Sequence, residues 1–205
     1  SARTASRTIS YRNKGNQAMR KWLNEPAEWS ADDASLTLVT EKATDFWRET
    51  FYGFTRDSGH AWLEPVTGDF SASLTVSADY QALYDQAGIM LRIDETHWIK
   101  AGIEFTDGLM HFSTVVTRDV SDWSVIPLHS ATPETPVSIR ITRHDDAVRV
   151  QFHLGDGKWQ MARLCPFPAA DAMVGMTACT PERAGLKVRF SAFEVGPPIA
   201  RQLHD

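Results

Sequence analysis

A chain of 205 residues, 42% apolar and 23% charged, has the length and balance of one globular domain with a substantial core. Its formal charge of −5 gives no basic excess for a nucleic-acid partner, and no apolar run reaches the roughly 18–20 residues of a membrane span. Two cysteines, Cys165 and Cys179, match no metal-ligand spacing and no disulfide framework, so reduced, buried thiols in a cytoplasmic setting are expected.

Ser1–Ala18 has several basic groups, no apolar periodicity and no apolar h-region. A tail or leader is expected there rather than a signal peptide, with the domain over 19–197 and a short tail over 198–205. WLNEPAEW, Trp22 to Trp29, precedes a short strand at Leu36–Thr40. The stretch TDFWRETFYGFTRDSGHAW then carries three aromatic clusters and two glycines without a clean period, which reads as a strand edge followed by a long ordered loop. From there alternation of period two takes over. Phe70, Ala72, Leu74, Val76 and Ala78 alternate with small polar residues and Asp79. The pattern returns at Val137/Ile139/Ile141, Val148/Val150/Phe152 and Leu186/Val188/Phe190, with turn residues between the runs. Short strands at this spacing, without a helical window, predict an all-β fold: a two-sheet antiparallel β-sandwich of jelly-roll type.

The segment Tyr84–Thr117 permits a register to be worked out. Ala87, Ile89, Leu91 and Ile93 line one face of its first strand, and Ile99, Ala101, Ile103 and Phe105 one face of its second. If both rows face the core, residues of matching parity must pair. The connection Ile93–His97 then favours Arg92 with Trp98, Met90 with Lys100, Gly88 with Gly102 and Gln86 with Glu104. A slip by two residues would set Arg92 beside Lys100, an unfavourable like-charge pair. Asp107-Gly108 suits a two-residue type I′ turn, in which both residues need positive φ. That turn pairs Glu104 with His111, Gly102 with Ser113, Lys100 with Val115 and Trp98 with Thr117. One face therefore gathers Gln86, Arg92, Trp98, Lys100, Glu104, His111, Ser113 and Thr117 around a Gly88–Gly102 gap. Facing glycines weaken a sheet, so the gap is expected to admit a ligand or an aromatic ring from a covering loop.

The segments WLNEPAEW, TDFW, FYGFTRDSGH, YDQAGIMLR, HWIKAGIE, STVVT and SDWS, in this order from Trp22 towards Val195, resemble the domain of unknown function 1349 family. That resemblance implies a concanavalin A-like lectin/glucanase jelly roll whose concave sheet holds the central three strands. Some members carry a regulation-of-enolase label, which implies no defined activity. The resemblance also implies that Trp47, Asp57, His60, Trp62, Tyr84, Asp85 and Trp123 stand near the rim of that sheet. It carries over no catalytic residues.

A glucanase of this fold needs two carboxylates flanking a sugar bond. HWIKAGIEF offers only Glu104, with Lys100 and Gly102 at the positions where partners would stand. Asp57, His60, Glu64 and Asp85 form no recognised metal-ligand spacing, and no G-x-S-x-G, G-x-G-x-x-G or phosphate-loop motif occurs. No cofactor or metal is expected. Trp22, Trp29 and Trp159 read as core, and SDWS as a strand start or a rim platform.

The sequence reading is thus a non-catalytic, lectin-like domain holding a small polar ligand, a saccharide for example, on its concave sheet. Trp98 and Trp123 would stack on it, Arg92, Lys100, Glu104 and Gln86 would bond to it, and His111, Trp47, His60 and Tyr84 complete the candidate set. The alternatives are a glycoside hydrolase or lyase using Glu104 and His111, and a regulatory protein-interaction module.

Overall fold

Alternation of apolar and polar residues leaves most of this chain one way to hide its hydrophobic face, which is to pack sheet against sheet. The computed structural model describes residues 20–204, so the expected tail over 1–18 and Met19 lie outside the described residues. Sixteen strands and no helix occur among the described residues. The first eight are β1 (Lys21–Leu23), β2 (Glu28–Ala31), β3 (Ser35–Val39), β4 (Phe46–Arg48), β5 (Thr55–Asp57), β6 (His60–Val66), β7 (Phe70–Ala78) and β8 (Asp85–Asp94). The others are β9 (His97–Thr106), β10 (Leu109–Arg118), β11 (Val120–Pro127), β12 (Val137–His144), β13 (Ala147–Leu154), β14 (Gln160–Pro166), β15 (Ala172–Cys179) and β16 (Lys187–Gly196).

Seven strands in the order β1-β6-β15-β8-β9-β10-β11 form a front sheet, and seven in the order β14-β13-β12-β7-β16-β3-β2 form a back sheet. Ile89, Leu91 and Ile103 from the front sheet meet Leu74, Ile139 and Val150 from the back in one buried core. This is the antiparallel sandwich that the alternation predicts. The aromatic stretch is more ordered than a loop: β4 and β5 pair as a separate hairpin. That hairpin covers the outer face of the front sheet, where Phe46 and Trp47 pack with Leu63, Met90, Trp98 and Val115 in a second apolar cluster.

The central register is the one deduced from the turns. Gln86 faces Glu104, Gly88 faces Gly102, Met90 faces Lys100 and Arg92 faces Trp98. Glu104 faces His111, Gly102 faces Ser113, Lys100 faces Val115 and Trp98 faces Thr117. Asp107 and Gly108 have φ of 54° and 69°, as a type I′ turn requires. The glycine gap has a different cause from the expected one. A Cβ on Gly88 would run into Ala101 O, and one on Gly102 into Ala87 O, so the two strands themselves make the close approach. The space left above the pair is about 10 Å³, roughly the room of one water molecule.

Trp22 and Trp62 stack at 5.6 Å, with Trp29 against both, where β1, β6 and β2 close one side of the sandwich. Trp62 does not line the glycine gap. Trp159, read as core from the sequence, instead lies half-buried on the outer face of the back sheet, 4.5 Å from the His153 ring and under the Arg140 guanidinium. Beyond β16 the chain crosses that outer face. His144 Nε2 meets Ile199 O at 2.9 Å, and Arg149 donates to Ala200 O and Gln202 O, both at 3.1 Å.

Candidate functional site

The site begins with the way the hairpin is fastened to the sheet. Arg92 projects from β8 and holds Asp57 of β5 through two parallel bonds, Nη1 to Oδ1 at 2.6 Å and Nη2 to Oδ2 at 2.8 Å. Such a fork-to-carboxylate pair fixes orientation as well as distance. Lys100 Nζ donates to Phe46 O at 3.2 Å and to Asp45 Oδ1 at 3.5 Å. At the far end, Arg48 donates from its backbone to Ser121 Oγ and from Nε to Asp119 O. Beneath these ties Trp98 is 0% exposed, its ring 5.9 Å from that of Phe46. Trp98 and Arg92, expected to meet a ligand, therefore support the cover instead.

What the hairpin does not cover is a cleft of about 140 Å³. Trp47, Tyr52 and Phe54 come from the hairpin, Tyr84 from the turn before β8, and Trp123 from β11. Gln86, Lys100, Glu104 and Val115 are contributed by the sheet, and Asp45, Arg56, Pro181 and Glu182 complete the lining. Trp47 stands perpendicular to Tyr52 and to Trp123, with ring centroids at 5.8 and 6.2 Å. Tyr84 stands at 77° to Trp123, and the Tyr52 and Tyr84 hydroxyls lie 3.2 Å apart. That shared bond, ahead of burial, lifts the Tyr84 phenol to about 12. Glu182 is carried by the Pro181–Gly185 turn. That turn is anchored where Arg183 Nη2 donates to the wholly buried Asp85 at 2.5 Å.

Glu104 is the chemically unusual group. It is 3% exposed, and burial pushes its pKa up to about 7 against the opposing attraction of Lys100. Ser113 Oγ lies 3.4 Å from its Oε2, while its Oε1 has no hydrogen-bond partner. Beside it, burial raises the Cys179 thiol to about 12. Lys100 behaves differently: burial disfavours its ammonium, but the acidic groups around it, Cys179, Asp45 and Glu104, leave its pKa above the ordinary value.

The remaining candidates fall elsewhere. His111 pairs across from Glu104, but its Nδ1 meets the backbone oxygen of Leu109 at 3.0 Å and its ring does not line the cleft. His60 is buried, with Nδ1 on Asn24 O at 2.6 Å and Nε2 accepting from Glu41 N, a brace between two segments. Among the described residues no cluster of His, Cys, Asp and Glu is arranged to hold a metal ion. Of the expected set, then, Gln86, Lys100, Glu104, Trp47, Tyr84 and Trp123 meet at one cleft, while Arg92, Trp98, His111 and His60 do not. Tyr52, Phe54, Arg56 and Glu182 were missed. The aromatic run FYGF signals the first two, but nothing local signals Glu182.

The two antiparallel seven-stranded sheets define a lectin-like β-sandwich fold. More particularly, the chain belongs to the family described as protein of unknown function (DUF1349), whose model matches residues 22–198. It is 47% identical over 186 residues to a Saccharomyces cerevisiae protein named regulation of enolase protein 1, covering 90% of this chain and 92% of that one. A solved structure of a functionally unknown protein from Saccharomyces cerevisiae superposes with a TM-score of 0.84 at 44% identity, over 89% of this chain and 98% of that one. A Bauhinia forficata lectin in complex with GalNAc is similar in fold alone, with a TM-score of 0.55 at 10% identity over 87% of this chain and 93% of that one.

Proposed function

We propose that this protein is a non-catalytic, lectin-like binding domain that holds a small polar ligand, a saccharide for example, in the cleft between the hairpin and the front sheet. The observation that carries this reading is the lining itself: Trp47, Tyr52, Tyr84 and Trp123 as walls, and Gln86, Lys100 and Glu104 as a polar floor. Aromatic faces with a few placed polar groups are the usual makeup of a small-molecule site. Hydrolysis by Glu104 and His111 has less support, because His111 stands outside the lining. Two free, buried cysteines suit a cytoplasmic setting. A thermal-shift screen of mono- and disaccharides tests the reading. It expects a stabilising sugar whose effect disappears in Trp123→Ala; a blank screen would sink it.

A regulatory role through a protein partner is the second reading. It draws on the name of the yeast relative and on Phe51, 95% exposed at the tip of the hairpin beside half-exposed Tyr52. Pull-down of a stoichiometric partner that is lost in Phe51→Ser would favour it over the first.

A further inference from the structure

The hydrogen-bonding groups of the cleft are unevenly engaged. The Gln86 amide and the Arg56 guanidinium have no hydrogen-bond partner among the described residues, while the other donors are taken. Trp47 Nε1 donates to Thr50 O at 3.0 Å and Trp123 Nε1 to Ser113 Oγ at 3.1 Å. Lys100 Nζ is held by Phe46 O and Asp45, and the two tyrosine hydroxyls bond to each other. The acceptor Glu104 Oε1, in contrast, has no partner although the residue is almost wholly buried. An unpartnered buried carboxylate oxygen is costly and calls for a donor.

Charge and ring geometry point the same way. The lining carries three carboxylates, Asp45, Glu104 and Glu182, against two cations, Lys100 and Arg56. Asp45 is matched by Lys100, while the Arg56 guanidinium lies over the Phe54 ring at 4.1 Å. Glu182 forms no ion pair among the described residues. Trp47 is at 80° to Tyr52 and 87° to Trp123, and Tyr84 at 77° to Trp123, so the rings form a box rather than a stack. Aromatic faces around a small space attract a cation through the negative potential above each ring. Arg56 likewise forms no ion pair among the described residues, but an anion meeting it would also meet Glu104 and Glu182 in the same lining. A neutral hydroxyl would satisfy Glu104 but would leave the surplus charge uncompensated.

We infer that the cleft binds a small organic cation, an ammonium group carried by a simple amine or an amino sugar, boxed by Trp47, Tyr52, Tyr84 and Trp123 and neutralised by Glu104. This rests on the reading that the cleft is the ligand site, and it names the ligand class. The groups facing Glu104 are Lys100 on its own strand, Ser113 and His111 on β10, Gln86 and Tyr84 on the β8 side, Asp45 and Arg56 at the hairpin, and Cys179 with Glu182 at the end of β15. None of them replaces the missing partner of Oε1. Burial keeps Glu104 titrating near neutrality, and an amine that stays protonated over the same range favours its ionised form, so affinity for such a cation rises with pH through about 6 to 8.

Calorimetric titration of the full chain with ethanolamine, its neutral counterpart 1-propanol, glucosamine and glucose tests the inference. Ethanolamine or glucosamine should bind at least about tenfold more tightly than its neutral counterpart. Which of the two cations binds identifies the source of the ammonium. Ethanolamine affinity should rise with pH through about 6 to 8, Trp123→Ala should weaken it about tenfold or more, and Glu104→Gln should remove both the cation preference and the pH dependence. Equal binding of the neutral counterparts overturns the inference. So does binding of glucose alone with loss in Trp123→Ala, which leaves the cleft a ligand site of another class. Absence of binding by all four probes, together with a blank saccharide screen, overturns the inference and the ligand-site reading together.

Discussion

Glu104 shows how a single residue sets a pH dependence. Its pKa in the folded protein, about 7, lies above the ordinary value of 4.5, chiefly because burial penalises the carboxylate. Between these two values the folded chain binds more protons than the unfolded chain, so stability falls as pH rises through that window. Glu104→Gln removes the penalty. We expect it to raise stability at pH 8 by roughly 1–3 kcal/mol, and by almost nothing at pH 4, in urea titrations at the two pH values. Trp98 makes the opposite point. Read from the sequence as a stacking platform, it is wholly buried between the sheet and Phe46, with its indole nitrogen on Glu95 O at 3.3 Å. Trp98→Ala should therefore cost about 3–5 kcal/mol in the same denaturation assay, the range for removing a large aromatic from a core. A cost under about 1 kcal/mol would contradict that placement.

At the scale of strands, the glycine pair and the hairpin clamp each make a prediction. Gly88 and Gly102 let β8 and β9 come together where a Cβ would meet backbone. Backbone cannot yield as a side-chain tip can, so Gly88→Ala should cost on the order of 2–3 kcal/mol, read as a lowered urea midpoint. An unchanged midpoint would show that the strands can part without cost. The Arg92–Asp57 pair is partly buried, with side-chain exposures of 13% and 32%. A double-mutant cycle with Arg92→Ala and Asp57→Ala should give a coupling of about 1–3 kcal/mol, more than an exposed pair supplies. Loss of the clamp should also raise tryptophan quenching by acrylamide, because the hairpin shields Trp98. The register of β8–β10 was legible in the sequence because side-chain parity and the Asp107-Gly108 turn constrain it independently. The hairpin was not legible as a cover. Its strands are three residues each, and their partners across the face lie far along the chain.

For the whole molecule, early and late segments are interlocked. β3 pairs with β16 in the back sheet, and β6 pairs with β15 in the front sheet. Neither sheet is complete until the last strand is placed, so a single cooperative transition is expected, with far-ultraviolet circular dichroism and tryptophan fluorescence coinciding in urea. An earlier fluorescence transition would show the hairpin leaving before the sandwich melts. The sequence alone determined the sandwich class, the strand alternation and the central register, because each depends on residues near one another in the chain. Only the tertiary structure decided which half of the polar face stays open. Trp47, Tyr84, Glu104, Trp123 and Glu182 meet at one cleft although they are spread over most of the domain. The hairpin that buries Trp98 and leaves this cleft is held by contacts between Arg92 and Asp57, and between Lys100 and Phe46, that no local pattern encodes. Burial also converts Glu104 from an ordinary surface carboxylate into one that titrates near neutrality, and burial is a property of the packed whole.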